Sequence, residues 1–151
     1  MKMLKTTLLL AALTGTAAQA QSPAPVSTSR TTWFTVVGDP EDPNVDTVQV
    51  DPVDHDGNPR TMRVRVSRST ARSSWDGVPY RSYTSNVAFE CDRNQARYLS
   101  LSYHGQPLWP GEPDKTVDYS TGTPRMMAFR DMTPNPTQRI IQAACRLVAK
   151  R

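Results

Sequence analysis

Two cysteines, Cys91 and Cys145, constrain this fold most, because they follow a segment that predicts export. Residues 1–20 carry two lysines near the start, continue with a run of leucine and alanine, and end in Ala18-Gln19-Ala20. A basic start, a short apolar core and a small-x-small ending are typical of a secretory signal peptide. Export places both thiols in a compartment where disulfides form and persist. Two cysteines allow a single pairing, so the sequence predicts one intrachain disulfide.

The predicted mature chain begins at Gln21 and forms one domain. Removing residues 1–20 from the 151 leaves 131, which is long enough to bury a core. Residues 21–31 are rich in Ser, Thr and Pro and predict a flexible leader, and residues 32–151 follow as the domain. Position 21 lacks the cysteine of a bacterial lipoprotein, and the signal is the only long apolar run. We therefore expect a periplasmic or secreted protein, with no lipid anchor and no membrane span.

The charge balance argues against a nucleic-acid partner. The full chain has a formal charge of +4, which falls to +2 when Lys2 and Lys5 leave with the signal. A nearly neutral protein is a poor ligand for a phosphate backbone. Arginine far outnumbers lysine, and the planar guanidinium suits bidentate contacts to carboxylate, sulfate or phosphate. A coding bias toward arginine is the alternative explanation.

Alternating side chains predict several β-strands separated by turn residues. In residues 61–69, Met62, Val64 and Val66 share one face, while Arg63 and Arg65 share the other. This alternation indicates a strand with one buried face and one solvated face. Strands are predicted at 32–37, 45–50, 61–69, 80–92, 96–104 and 125–130, with a long loop over 105–123.

The C-terminal segment changes to a helical period. The helix is predicted to start near Pro136, with Asn135 or Thr137 as its N-cap. Cys91 shares a strand face with apolar residues, and the second cysteine falls on the apolar stripe of the helix, so the two faces should meet. That stripe comprises Ile140, Ile141, Ala144, Cys145 and Val148.

One stretch of the chain resembles a known family. Residues 80–103 contain a strand ending in Phe89-Glu90-Cys91, a polar turn, then Arg97 and a Leu-Ser strand with an aromatic residue. A Pro-rich helix start precedes the second cysteine, and Trp33 lies in the first predicted strand. These features resemble the surface-adhesin protein E family.

The resemblance implies an α+β fold, in which a C-terminal helix lies on the concave face of an antiparallel sheet of about six strands and is tied to it by a disulfide. The named member of that family is an outer-membrane lipoprotein that binds host extracellular-matrix and plasma proteins. The resemblance therefore implies an exported, non-catalytic, adhesin-like binding protein that contacts matrix or other envelope proteins. The alternative is a periplasmic structural or envelope-maintenance protein without a host ligand. The family's ligand-binding segments have no recognisable counterpart here, so no binding residue follows from the resemblance.

Motifs for catalysis or metal binding are absent from the sequence. Neither Gly-x-Ser-x-Gly nor His-Glu-x-x-His occurs, and His55 and His104 are expected at the surface. Residues 54–58, with Asp51, look like part of a Ca²⁺ loop, but no acidic residue closes the ligand shell at the required spacing. We therefore expect a hairpin turn there, no enzyme activity, no cofactor and no metal site.

The candidate binding residues are arginines and tryptophans. Because Arg63 and Arg65 share a strand face, they could bind an anionic glycan or an acidic protein segment, although an ordinary solvated face explains them as well. Trp75 and Trp109 lie in turn-rich segments, which makes them candidates for exposed contacts at an interface. The whole arginine run comprises Arg60, Arg63, Arg65, Arg68 and Arg72.

Overall fold

The computed structural model of this protein describes residues 32–52 and 59–146. These residues form one antiparallel sheet of seven strands, a short 3₁₀ turn and one helix, α1. The strands are β1 (Phe34–Val37), β2 (Thr47–Asp51), β3 (Arg60–Ser73), β4 (Pro79–Glu90), β5 (Gln95–His104), β6 (Lys115–Asp118) and β7 (Arg125–Met126). The 3₁₀ turn spans Cys91–Arg93, and α1 spans Thr137–Arg146.

The sheet follows chain order from β1 to β6, and β7 pairs separately with β5. Every neighbouring pair is antiparallel, as expected when short turns join consecutive strands. The β3–β4 pairing carries a register shift between Ser67 and Arg72, and the β4–β5 pairing carries one between Asn86 and Val87. Such bulges bend a strand and increase its local twist. The predicted α+β class and antiparallel sheet are confirmed.

The alternation in β3 separates the two faces of the sheet. Val64 and Val66 are at most 1% exposed and lie on the face that α1 covers, which we call the helix face. Arg63 and Arg65 lie on the opposite face, which we call the arginine face. Burial of this apolar set is the main driving force for the fold. The core comprises Val48, Met62, Val64, Val66, Tyr83, Val87, Phe89, Tyr98, Leu101, Tyr103, Met127, Phe129, Ile140 and Ile141, among others.

Helix α1 is held at both of its ends. Asn135 Oδ1 accepts hydrogen bonds from the backbone N–H (3.0 Å) and the hydroxyl (2.7 Å) of Thr137, the first helical residue. At the other end, Arg60 donates through Nη1 to the carbonyl of Ala144, one of the terminal carbonyls that lack a partner within the helix. The predicted capping role of Asn135 is thus seen, whereas Val148 lies outside the described residues.

The disulfide connects α1 to the sheet. Cys91 follows directly after β4, Cys145 lies in the last turn of α1, and their Cα atoms are 5.5 Å apart. The predicted pairing is confirmed. Ile140, Ile141 and Ala144 are buried on the same side of the helix, so apolar packing and the covalent bond act on one interface.

Three expectations differ from the structure. The predicted loop over 105–123 contains β6, an exposed edge strand in which Val117 is the only apolar residue. The last strand covers Arg125–Met126 only, because the chain then turns to cover the helix face with Met127 and Phe129. His104 is 6% exposed at the end of β5, opposite Ser82, whose hydroxyl donates to the Gln106 carbonyl of the following loop. His55 and the predicted turn over 54–58 lie outside the described residues.

Candidate functional site

The structure divides the arginine run between two faces and three environments. Arg60 caps α1 through the Ala144 carbonyl, as described above. Arg63 and Arg65 lie on the arginine face, and Arg68 and Arg72 line a cavity on the helix face. Arg68 is 4% exposed, so it does not extend the surface of Arg63 and Arg65.

On the arginine face, two arginines meet two tryptophans. The guanidinium carbon of Arg65 lies 4.4 Å from the ring centre of Trp33 and 4.1 Å from that of Trp109, and that of Arg63 lies 5.2 Å from the Trp33 ring. These are cation–π distances. We call Trp33, Arg63, Arg65 and Trp109 the arginine–tryptophan cluster. In the sequence, Trp33 stood out only as part of the family resemblance. Its partners lie far away along the chain, so no local pattern predicted this contact.

The loop after β5 holds Trp109 in the cluster. Leu108 and Trp109 both have left-handed backbone conformations, with φ of 62° and 56°. This costs on the order of 1–3 kcal/mol for each residue other than glycine and requires compensating contacts. The indole Nε1 of Trp109 lies 3.0 Å from the carbonyls of Val66 and Tyr83, and its backbone N–H donates to the Ser82 hydroxyl at 3.1 Å.

Hydrogen bonds fix the two arginines of the cluster differently. Arg63 pairs with Asp51 at 2.5 Å. Arg65 donates from Nε to the neutral Gln49 side chain at 2.7 Å, and no carboxylate of residues 32–52 or 59–146 pairs with it. Burial, and secondarily the charge of Arg63, lowers the pKa of Arg65 to about 10. Arg65 is therefore still a cation at neutral pH, with a charge that no acidic side chain in the described part neutralises.

On the helix face, a cavity of about 510 Å³ lies between the sheet and residues 124–131. Aromatic side chains and arginines line it together. Arg72 reaches Asp131 at 3.0 Å on the rim, and Arg125 lies 5.5 Å from the ring centre of Trp75. The principal lining side chains are Arg68, Arg72, Trp75, Tyr80, Tyr83, Tyr98, Tyr103 and Arg125.

Arg68 is a buried cation that forms one ion pair and one hydrogen bond within the described residues. Its Nη2 donates to the carbonyl of Arg130 at 3.1 Å, and its Nε lies 3.6 Å from Asp46 Oδ1, beyond hydrogen-bond distance. A guanidinium has five N–H donors, so most of the donor capacity of Arg68 is unused within the described residues. Asp46 balances part of its charge, and the unused donors of this buried guanidinium, beside a cavity, make it a candidate site for an anion.

Four tyrosines form the aromatic wall of the cavity. The Tyr83 and Tyr98 hydroxyls are 2.8 Å apart, and the ring centres of Tyr80 and Tyr103 are 5.2 Å apart. Burial raises the pKa of all four hydroxyls above the ordinary tyrosine value. The nearby charge of Arg68 acts against this rise at three of them, Tyr80, Tyr83 and Tyr98.

The raised tyrosine pKa values predict a loss of stability at alkaline pH. Unfolded tyrosines lose their protons near pH 10.0, whereas the folded ones hold theirs to higher pH. The unfolded state then binds fewer protons, so the free energy of unfolding falls as pH rises above 10, by about 1.4 kcal/mol per pH unit for each proton retained. Urea denaturation from about pH 8 to pH 12 measures this slope. Tyr80→Phe is expected to have a smaller slope, and an identical slope in the variant would contradict the assignment to this cluster.

The two tryptophans proposed as exposed contacts occupy different environments. Trp75 is 47% exposed at the β3–β4 turn, beside the cavity. Trp109 is half-buried and hydrogen-bonded to the sheet. Their turn-rich sequence contexts are alike, so the difference depends on contacts distant in sequence.

Two broader features of the described residues bear on function. Residues 32–52 and 59–146 contain no cluster of three or more His, Cys, Asp or Glu side chains placed to hold a metal ion. In the same part of the chain, no helix has the length and apolar character needed to cross a membrane.

The family comparison agrees with the fold and the disulfide. A family model described as surface-adhesin protein E matches residues 33–146, from Trp33 of the cluster to the last residue of α1. No curated protein matches the chain, and no solved structure does. The match covers nearly all of the residues that the structure describes and includes both cysteines. The chain therefore belongs to the surface-adhesin protein E family, which points to a non-enzymatic binding protein at the cell surface.

Proposed function

We propose that this protein is an exported, non-catalytic binding protein that contacts an acidic segment of a host or matrix protein through the arginine–tryptophan cluster. Family membership supports the class of function. The observation that carries the proposal is the Arg65 guanidinium beside the Trp33 and Trp109 rings, which no carboxylate of the described residues neutralises.

The chemistry of the cluster suits a carboxylate-bearing partner. Arg65 keeps its charge at neutral pH, and its terminal nitrogens have no hydrogen-bond partner among the described residues. Guanidinium groups bind carboxylates with charge-assisted, planar hydrogen bonds. The tryptophan rings restrict the guanidinium, so less side-chain entropy is lost when a partner binds.

The position of the cluster suits a protein surface. Its side chains are half-buried, so they offer contact area while the sheet and the loop after β5 support them. Tryptophan and arginine are enriched among the residues that dominate binding energy at protein interfaces. A basic patch of this kind also accelerates the encounter with an acidic partner, and salt weakens that effect.

Replacing Arg65 is expected to weaken binding to a polycarboxylate probe. On immobilised poly-glutamate, Arg65→Gln should bind about fivefold more weakly than the unaltered chain, the scale of one partly exposed charge pair of about 1 kcal/mol. Arg65→Lys keeps the charge but loses the planar fork, and should fall between the two. Affinity chromatography with a salt gradient measures the difference.

Arg93→Gln is the matched control, because Arg93 is an exposed arginine outside the cluster with a side chain 76% accessible. It changes the net charge equally and should leave retention nearly unchanged. Equal weakening in both variants would show that net charge, not the cluster, causes retention. If Arg65→Gln loses more retention on heparin than on poly-glutamate, the partner of the cluster is a sulfated glycan and not a protein segment.

Cell fractionation tests the exported, surface-exposed part of the proposal. The proposal requires the chain on the cell surface or in the medium. Confinement to the periplasm would favour the alternative of an envelope-maintenance protein without a host ligand.

A further inference from the structure

We propose that the cavity on the helix face is a binding site for a small aromatic carboxylate. The site is separate from the arginine–tryptophan cluster, because β3 directs Arg65 to the opposite face of the sheet from Tyr83 and Tyr103. Its volume of about 510 Å³ falls within the range of about 300–1,000 Å³ typical of small-molecule pockets.

The charge in the cavity favours an anion. Four arginines and one aspartate line it, and Arg72 already pairs with that aspartate, Asp131. Arg68 is 4% exposed, and its Nε forms an ion pair with Asp46 at 3.6 Å but no hydrogen bond within the described residues. The Nε of Arg72 is buried and has no hydrogen-bond partner in the described part of the chain either. Buried polar donors without acceptors are unfavourable, and a bound carboxylate would supply acceptors to the guanidinium donors that Asp46, Asp131 and the Arg130 carbonyl leave unused.

The walls of the cavity favour a planar, aromatic body. The Tyr80 ring centre is 5.6 Å from that of Tyr83 and 5.2 Å from that of Tyr103, with the rings tilted or edge-on. Aromatic rings prefer offset or edge-to-face contacts at such distances. The hydroxyls of Tyr83 and Tyr98 share one hydrogen bond, so only one of their two O–H groups remains as a donor and the rest of that wall is ring surface.

The mouth of the cavity can admit such a ligand and interact with it. Trp75 is 47% exposed and lies beside the opening, with Arg125 over its ring. Arg125 makes no ion pair among the described residues, so its charge is available to a second polar group of the ligand. One end of the ligand thus meets the buried Arg68, and its body lies against the tyrosines.

Titration calorimetry of the full-length chain with naphthoate and naphthamide tests the proposal. The two probes share a ring system and differ in charge. Naphthoate should bind with one-to-one stoichiometry, and naphthamide should bind at least about tenfold more weakly, the effect of losing one charge-assisted hydrogen bond. Equal affinities, or no binding of either probe, would overturn the proposal.

Variants locate the site. Arg68→Met should abolish naphthoate binding, and Arg125→Gln should weaken it about threefold, as for a partly exposed charge. If Arg68→Met does not fold, the naphthoate affinity of Arg125→Gln tests the site instead. Replacing Arg125 should leave the fold intact, because its described side-chain contact is with the partly exposed Trp75 ring. Unchanged naphthoate affinity in Arg125→Gln and in any folded Arg68 variant would contradict the site.

Two further controls separate this site from the proposed protein-binding function. Arg65→Gln should leave naphthoate affinity unchanged while poly-glutamate retention falls, so either proposal can fail alone. Displacement of naphthoate by poly-glutamate would show that the cavity belongs to a protein-binding surface and would overturn the small-molecule assignment.

Discussion

Replacing Cys91 with alanine is expected to lower the free energy of unfolding by about 4 kcal/mol. The disulfide joins residues 54 positions apart, so its loss releases a long loop in the unfolded chain. The chain-entropy relation gives about 4 kcal/mol for a loop of this length. That is a large share of the roughly 5–15 kcal/mol that stabilises a typical domain, and urea denaturation under non-reducing conditions measures it.

The single and double cysteine variants provide an internal control. Cys145→Ala breaks the same bond as Cys91→Ala, so either variant and the double variant should lose nearly the same stability. Hydrogen exchange should show the backbone amides of α1 losing protection first, because apolar packing and a few hydrogen bonds, such as that from Arg60 to Ala144, then hold the helix without a covalent tie. Additive losses in the double variant would show that the cysteines contribute through separate packing contacts.

Much of the sheet follows from local sequence. In β3 and β4, one face is apolar and the other polar, so a period of two is visible without knowledge of the partners. The same alternation also divides the arginine run between the two faces of the strand. Arg60 and Arg68 fall on the face of Met62, whereas Arg63 and Arg65 fall on the other face. The structure shows the same division.

β6 was missed because it carries almost no apolar signal. Lys115–Asp118 contains one partly buried valine, and its other residues are exposed at the edge of the sheet. Edge strands commonly carry polar and charged residues, which limit pairing with other chains. Such a strand resembles a loop in sequence and is defined by its pairing with β5.

The two candidate sites depend on contacts that no local pattern contains. The arginine–tryptophan cluster joins β3 to Trp33 and Trp109, which lie far from it along the chain in opposite directions. The cavity forms because residues 124–131 return over the helix face. Turn composition predicted a long loop over 105–123, but it could not predict that Leu108 and Trp109 bond to Ser67 and Ser82.

Trp109 and Trp75 are expected to differ sharply when each is replaced by alanine. Trp109→Ala should cost about 2–3 kcal/mol of unfolding free energy, below the value for a fully buried tryptophan because the side chain is half-buried. The loss includes the Nε1 contacts with two strand carbonyls and the Arg65 cation–π contact. Trp75→Ala should cost about 1 kcal/mol, because Trp75 is 47% exposed and its ring has contacts with Tyr98 and Tyr119 but no hydrogen bond to the sheet among the described residues.

Binding measurements on the same pair connect stability to function. Trp109→Ala frees the Arg65 guanidinium from one ring, so poly-glutamate retention should fall even where the variant is fully folded. Trp75→Ala should keep that retention and weaken naphthoate binding instead, since Trp75 lies at the cavity mouth. Trp109→Phe keeps an aromatic ring without the Nε1 donor, and it should recover part of the retention because the cation–π contact persists. Equal effects of the two alanine variants on stability and on both probes would contradict the separation of the two sites.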